Sequence, residues 1–367
     1  MSDDEAELPE PHRVIRMARY DDPVAVIADS EAWFARDTHP DLLARGPMFA
    51  VTEQEADGRW RILQAEENGP QLMRDSLGLI CRVRAKAAAE AGDDAARRAW
   101  LAGAQRMDRE KADELVVADC RFRIARGDVF VRLGPEGPEP PRPSDPDPMP
   151  IGQGREAAPR TKGFLLDPTA ATGMSEGILK LELLRFAYTS AAIPSDVRAD
   201  SVVARDAYPG GVLLPPAFGV FARGPGSGWT PRATGADTPQ EARDGLALRL
   251  KALLPMGLRD ERRPSGLPEM PRELRNVFAD QLGLLDPGAR QLTDEQLGQC
   301  ARAVARLEAE RLDTIPILGR EFRVTRLERL VRLGADGPEP PRPSDWDPEQ
   351  PPEAHGVTDR GDEEPGG

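Results

Sequence analysis

Nine residues, GPEPPRPSD, occur twice in this chain, from Gly137 and again from Gly337. They end a longer match. At an offset of 200, Arg106, Glu110, Asp113, Phe122, Arg123 and Arg126 meet Arg306, Glu310, Asp313, Phe322, Arg323 and Arg326. Upstream the offset is 169: ARDTHPDLLARGPMFAV from Ala35 meets ARDAYPGGVLLPPAFGV from Ala204, and Trp60 meets Trp229. PQLMRDSLGL from Pro70 meets PQEARDGLAL from Pro239, and VIRMA from Val14 meets LLRFA from Leu183. The matches keep one order in both halves. A period this long means a duplicated domain rather than a solenoid. The offset changes once, by 31 residues (200 − 169), which puts an insertion in the second copy near 255–286 with PMGLRDERRPSGLPEMP at its core.

The expected fold is α+β, two tandem copies of one module arranged as a pseudo-twofold pair. Each module reads as helix, β-hairpin, helices, strands and a proline-rich strap. Asp22-Pro23 is an N-cap followed by proline at the first helical position, opening VAVIADSEAWFARD. MFAVTEQEADGRWRILQAEE carries two β-rich runs around Asp57-Gly58, a hairpin signal; FGVFARGPGSGWTPRAT is its counterpart. Thr238-Pro239-Gln240-Glu241 and Thr293 to Gln296 are capping boxes. Leu297, Cys300, Val304 and Leu307 form one apolar stripe, matched by Arg97, Trp100, Ala104 and Met107. ELVVADCRFRIARGDVFVRLG alternates enough to read as strands, with Phe49 to Val51, Phe122 to Ile124, Phe218 to Val220 and Phe322 to Val324 expected in strands. Trp60 and Trp229, in a chain with 5 % aromatics, are expected to be mostly buried.

These readings give modules at 12–150 and 174–348, a linker at 151–173, and disordered acidic ends at 1–11 and 349–367. The first residues, MSDDEAELPEP, have no apolar core and do not read as a signal peptide. No apolar run approaches the roughly 20 residues of a membrane span. A net charge of −14 repels phosphate backbones, so nucleic acid is not an expected partner. Three cysteines without CxxC spacing suit reduced thiols in a cytoplasm.

A residue doing chemistry in both copies should recur in both. None of Cys81, Cys120 and Cys300 does, and His39 faces Tyr208, so no thiol, triad or metal site is suggested, and no cofactor is expected. GPGSGW from Gly224 lacks the context of a phosphate loop and reads as a turn. The shared polar residues are mostly Arg and Asp. They are either ion pairs locking the strap and helices to the sheet, or an Arg-lined anion site at the module interface using Arg74, Arg243, Arg123 or Arg323. Unpaired guanidiniums would favour the second. The proline box is either a strap lying on its own module, with Pro138, Pro141, Arg142 and Asp145 recurring as Pro338, Pro341, Arg342 and Asp345, or a polyproline ligand for another protein.

PQEARDGL, FRVTRLERLVRLG and DGPEPPRPSDWDP make the chain resemble a family of uncharacterised actinobacterial proteins, filed as a domain of unknown function. Some members are labelled PE-PGRS family protein, although no Gly-rich repeat tract exists in this chain. The resemblance spans most of the chain and implies no activity. Two functions stay open: a non-enzymatic cytosolic binding or scaffold protein with an unknown partner protein, and an enzyme or small-anion binder with its site at the module interface.

Overall fold

The computed structural model describes residues 16–17, 23–255, 258, 270–286 and 288–355. Its elements, in chain order, are β1 (Arg16–Met17), α1 (Pro23–Thr38), β2 (Asp41–Gln54), β3 (Trp60–Glu66), α2 (Pro70–Glu90), α3 (Asp94–Arg109), β4 (Glu114–Val117), β5 (Cys120–Gly134) and β6 (Gly137–Pro138). Then come β7 (Leu165–Leu166), β8 (Ala171–Thr172), α4 (Met174–Leu184), α5 (Ser195–Ala207), β9 (Gly210–Arg223), β10 (Thr230–Ala236) and α6 (Pro239–Leu253). The last are α7 (Arg272–Gln281), α8 (Asp294–Leu307), β11 (Thr314–Ile317), β12 (Arg320–Gly334) and β13 (Gly337–Pro338). The fold is mixed α+β, as expected.

Local chemistry accounts for the helix starts. The Thr238 hydroxyl accepts from the Glu241 amide, with Pro239 in the first turn of α6. Thr293 and Gln296 complete a reciprocal box at α8, and Asp93 caps α3 through the Ala96 amide. α2 begins at Pro70 after Gly69, which has no side chain to cap with.

The spine of the main sheet runs β10-β9-β12-β5-β2-β3-β7, with β4 and β6 on β5 and β11 and β13 on β12; every pairing in it is antiparallel. β5 and β12 meet at the centre over only five residue pairs, Gly127 to Val131 against Val331 to Leu327. Val129 lies opposite Arg329, the residue 200 positions on. β2 and β9 each carry a register shift, between Ala44 and Gly46 and opposite Leu327 to Arg329. Pro215 and Pro216 sit at the second shift, where a missing N–H costs no ladder bond.

Alternate strand residues feed different cores. Phe49, Val51, Phe122 and Ile124 pack under α2 and α3; Phe218, Val220, Phe322 and Val324 pack under α6 and α8. Met48, Ala50, Val129, Phe221 and Val331 belong to a third cluster. Phe130 and Leu330 meet Leu179 and Leu183 of α4. Arg332, fully buried, donates to the carbonyls of Leu183, Leu184 and Phe186, a cation on the C-terminal end of α4.

Trp60 and Trp229 are both mostly buried, as expected, Trp60 at 2 % exposure and Trp229 less fully. β7 and Phe164 cover β3, whereas β10 is the opposite edge of the sheet, with no strand beyond it among the described residues. Other expectations need correction. The segment 151–173, expected as a linker, is packed: Gly154 is buried with its N–H on Asp244, and β7 pairs with β3. The tail expected to be disordered from 349 is placed through His355, with Glu353 ion-paired to Arg109 at 2.6 Å. Most of the expected insertion core, like residues 1–11 and 356–367, lies outside the described residues; within 255–286, residues 255, 258 and 270–286 are described, and they include α7, packed beside α6.

Candidate functional site

The two proline straps hold the centre together. In Pro138-Glu139-Pro140-Pro141 the only backbone N–H is that of Glu139, and it donates to Arg132 O on β5. The Glu139 carbonyl accepts from Arg326 N on β12. Glu339 repeats both bonds, to Arg332 O and from Arg126 N. Each glutamate peptide thus bridges β5 and β12 where the short seam ends.

Beyond this point each strap crosses to the other half. Asp345 takes Arg126 at 3.0 Å and Asp145 takes Arg326 at 3.1 Å. Asp347 pairs with Arg74 at 2.7 Å, and Asp147 with Arg243 at 2.7 Å. Asp147 also accepts the Gln240 amide in the first turn of α6, a carboxylate where the helix dipole favours one. The strap expected to lie on its own module therefore links the two halves. Pro138 and Pro338 are buried and Pro141 and Pro341 half-buried, so neither box presents a free polyproline face. Arg142 and Arg342 pair with Glu139 and Glu339, and reach Glu328 and Asp128 respectively.

The four arginines expected in an anion site all carry carboxylates. Arg74 holds Asp113 and Asp347, Arg243 holds Asp313 and Asp147, Arg123 holds Glu114 and Asp336, and Arg323 holds Glu321. Arg123 and Arg323 also lie over Trp60 and Trp229, at 5.2 and 4.7 Å from the ring centroids. The anion-site alternative needed unpaired guanidiniums and does not meet that condition at these positions: Arg74, Arg243 and Arg123 take carboxylates from distant segments, and Arg323 takes Glu321, two residues away on its own strand. Arg121 and Arg123 hold the Asp336 carboxyl down at about 2.

A different group of cations is less well matched. A cavity of about 520 Å³ lies between α1, α4, β9 and the first strap. Ala25, Ala28 and Ala32 of α1, Val212 and Leu214 of β9, and Phe164 give it an apolar wall. Arg142 and Arg326, on its floor, are neutralised by Glu328 and Asp145. Lys180 is not. It is 3 % exposed, has no carboxylate within ion-pair distance among the described residues, and makes one long hydrogen bond, 3.4 Å to Pro168 O. Arg160 lines the same cavity with a buried Nη1 that has no hydrogen-bond partner. Burial pushes the Lys180 ammonium and the Arg160 guanidinium below their usual ranges, with Asp167 only partly offsetting this for Lys180. One amide in the first turn of α4 is already occupied: Ser175 N donates to Asp29 at 2.8 Å.

Lys180 and Arg160 were not singled out from sequence. The available signal was Lys180 beside Leu179 and Leu183 on the apolar side of α4, one of five lysines in an Arg-rich chain. Arg126, Asp128, Arg326 and Glu328 were likewise not read as a cluster, because charged residues inside a strand normally face water.

The cysteines are positioned as packing residues. Cys81 and Cys300 are buried, and burial pushes both thiols up to about 11. Cys120 is half-buried; burial and the neighbouring Glu53 raise it too. Native protein titrated with a thiol-disulfide dye near pH 8 is therefore expected to react slowly at all three, and fully once unfolded. A fast burst at Cys81 or Cys300 would contradict this packing. Among the described residues no three His, Cys, Asp or Glu side chains are arranged to hold a metal, and no helix is long and apolar enough to cross a membrane.

No curated protein and no solved structure matches the chain significantly. A family model described as "Family of unknown function (DUF5954)" matches residues 22–348. With that span covering most of its length, the chain belongs to this family of unknown function.

Proposed function

We propose that the chain is a small-molecule binding protein built by internal duplication, and that its ligand is an organic anion with an apolar body held in the cavity by Lys180 and Arg160. One observation carries this reading: a buried lysine without a carboxylate and a guanidinium nitrogen without a partner face one cavity. Buried cations in folded proteins are ordinarily paired, as Arg126 and Arg326 at the sheet centre are. A bound anion would complete the set. The alanine and valine wall suits an apolar body, and the volume falls in the range of small-ligand sites, roughly 300–1,000 Å³. A carboxylate is favoured over a phosphate because Asp29 already takes an α4 amide that a phosphate would use.

Duplication explains why the two straps make reciprocal bonds at positions 200 apart, and why the site lies where elements of both halves meet. The three free thiols fit a cytoplasmic setting. A scaffold role rests on a separate feature: α1 turns Ile27, Trp33 and Phe34 to solvent. The cation on that face, Arg36, lies over Trp33 and pairs with Glu182, so the cavity is the better-supported site.

The test is thermal denaturation with aryl and alkyl carboxylates. A ligand at a hundredfold excess over its Kd should stabilise the wild type by about 2.7 kcal/mol. Lys180→Met and Arg160→Ala should abolish that shift. Lys180→Met without ligand should be as stable as the wild type or more so, since it removes an uncompensated buried amine. A large loss of apo stability in Lys180→Met, or no ligand shift in the wild type, would make Lys180 a structural residue instead.

A further inference from the structure

Lys180 has a second property besides its charge. Its amine is primary, buried, and close to unclaimed. α4, which carries it, is fixed at both ends: Arg332 takes the last carbonyls and Asp29 takes the Ser175 amide. The helix presents the amine at the wall of the cavity rather than on a loop.

We infer that Lys180 forms a reversible imine with the carbonyl carbon of a 2-oxo acid bound in this cavity, while Arg160 takes the acid's carboxylate. The inference rests on reading the cavity as an organic-acid site and names the class of acid. Three features support it. No carboxylate lies near enough to lock Lys180 as an ammonium, and its burial favours the neutral, nucleophilic amine. Ala28, Val212, Leu214 and Phe164 give the acid's apolar body a wall to pack on. A carbonyl adjacent to a carboxylate gives each of the two under-partnered groups its own partner.

The step balances without a redox partner. The amine nitrogen attacks the carbonyl carbon, a C–N bond forms, and the carbonyl π pair moves to oxygen. Oxygen receives the two amine protons through solvent. It leaves as water as the C=N bond forms. No electrons are gained or lost, and hydrolysis reverses each event.

Phenylpyruvate is a suitable probe, with 3-phenylpropionate as the analogue that lacks the carbonyl. The full chain is incubated with phenylpyruvate, treated with borohydride, digested and analysed by peptide mass. The expected result is a reduced adduct at Lys180 in large excess over the other four lysines. The adduct should be absent in Lys180→Met and suppressed by 3-phenylpropionate. Equal thermal stabilisation by both compounds with no adduct at Lys180 would overturn the imine and leave the acid-binding reading standing. Adducts spread evenly over the five lysines would overturn it as well. No stabilisation by either compound and no adduct would remove both readings.

Discussion

Asp128→Ala is expected to destabilise the protein by about 3–5 kcal/mol, measured by denaturant unfolding. Asp128 is 3 % exposed and holds Arg126 at 2.7 Å, Arg342 at 3.5 Å and Arg332 at 3.8 Å. Burial alone would raise its carboxyl; Arg126 and Arg342 outweigh burial and hold it below the usual range. Truncation leaves three guanidiniums facing one emptied position in the protein's centre. Arg126 keeps Asp345 and Arg342 keeps Glu339, so the loss is partial for those two, whereas Arg332 has no other carboxylate within ion-pair distance among the described residues. The sign of the pH dependence follows. A carboxyl with a depressed folded pKa contributes stability that is present above its unfolded value, about 4. That stability is lost as pH falls through the folded value. Wild type should therefore lose its advantage over Asp128→Ala in acid and keep it at neutral pH. A cost below about 1 kcal/mol at pH 7 would mean that water reaches these groups.

Gly337→Ala is the second large effect, at about 2–4 kcal/mol. Gly337 has φ +117°, a conformation that disfavours any side chain, and an added Cβ would lie 2.5 Å from Trp60 Nε1 and 2.7 Å from Trp60 Cε2. Trp60 is buried beneath Arg123 and cannot swing away. Gly137 is the internal control. Its φ is +109°, and a Cβ would meet Trp229 Nε1 at 2.3 Å. Yet Trp229 is less fully buried than Trp60 and adjoins the edge strand β10, so it has fewer neighbours to displace. Gly137→Ala should therefore cost less, near the backbone strain alone, roughly 1–3 kcal/mol. Tryptophan emission should shift to longer wavelength for Gly337→Ala as Trp60 is displaced. Equal costs at the two glycines would show that Trp60 relaxes as freely as Trp229.

The Asp128 result also bears on why a strap replaces a longer central ladder. β5 and β12 pair over five residues, and past those the carbonyl and amide of a single glutamate join them. A proline-flanked segment suits this position. It has one donor to place and little else to satisfy, and its stiffness lowers the entropy lost on ordering. Its Arg and Asp side chains then set ion pairs between strands and helices that are far apart in sequence. The buried charges cost desolvation, and their close geometry with several partners each is what offsets it.

Much of the local structure was legible in the residues. The capping threonines, the turn at Asp57-Gly58, the apolar stripe from Cys300 to Leu307 and the Phe-centred strands depend on neighbours within a few positions, and each lies where those neighbours place it. The matched positions at offsets of 169 and 200 were equally plain. The destination of the straps was not. Arg126 has Asp145 at one distance along the chain and Asp345 at another, and the two aspartates sit in identical sequence. Repetition makes pairing within a half and pairing across halves indistinguishable by residue type. Only the antiparallel meeting of β5 with β12, which brings Glu339 and Asp345 onto Arg126, selects the crossed arrangement. Lys180 was hidden for the same physical reason. Burial and the absence of a carboxylate are properties of what folds around a residue, and α1, β9 and the first strap reach Lys180 from remote parts of the chain.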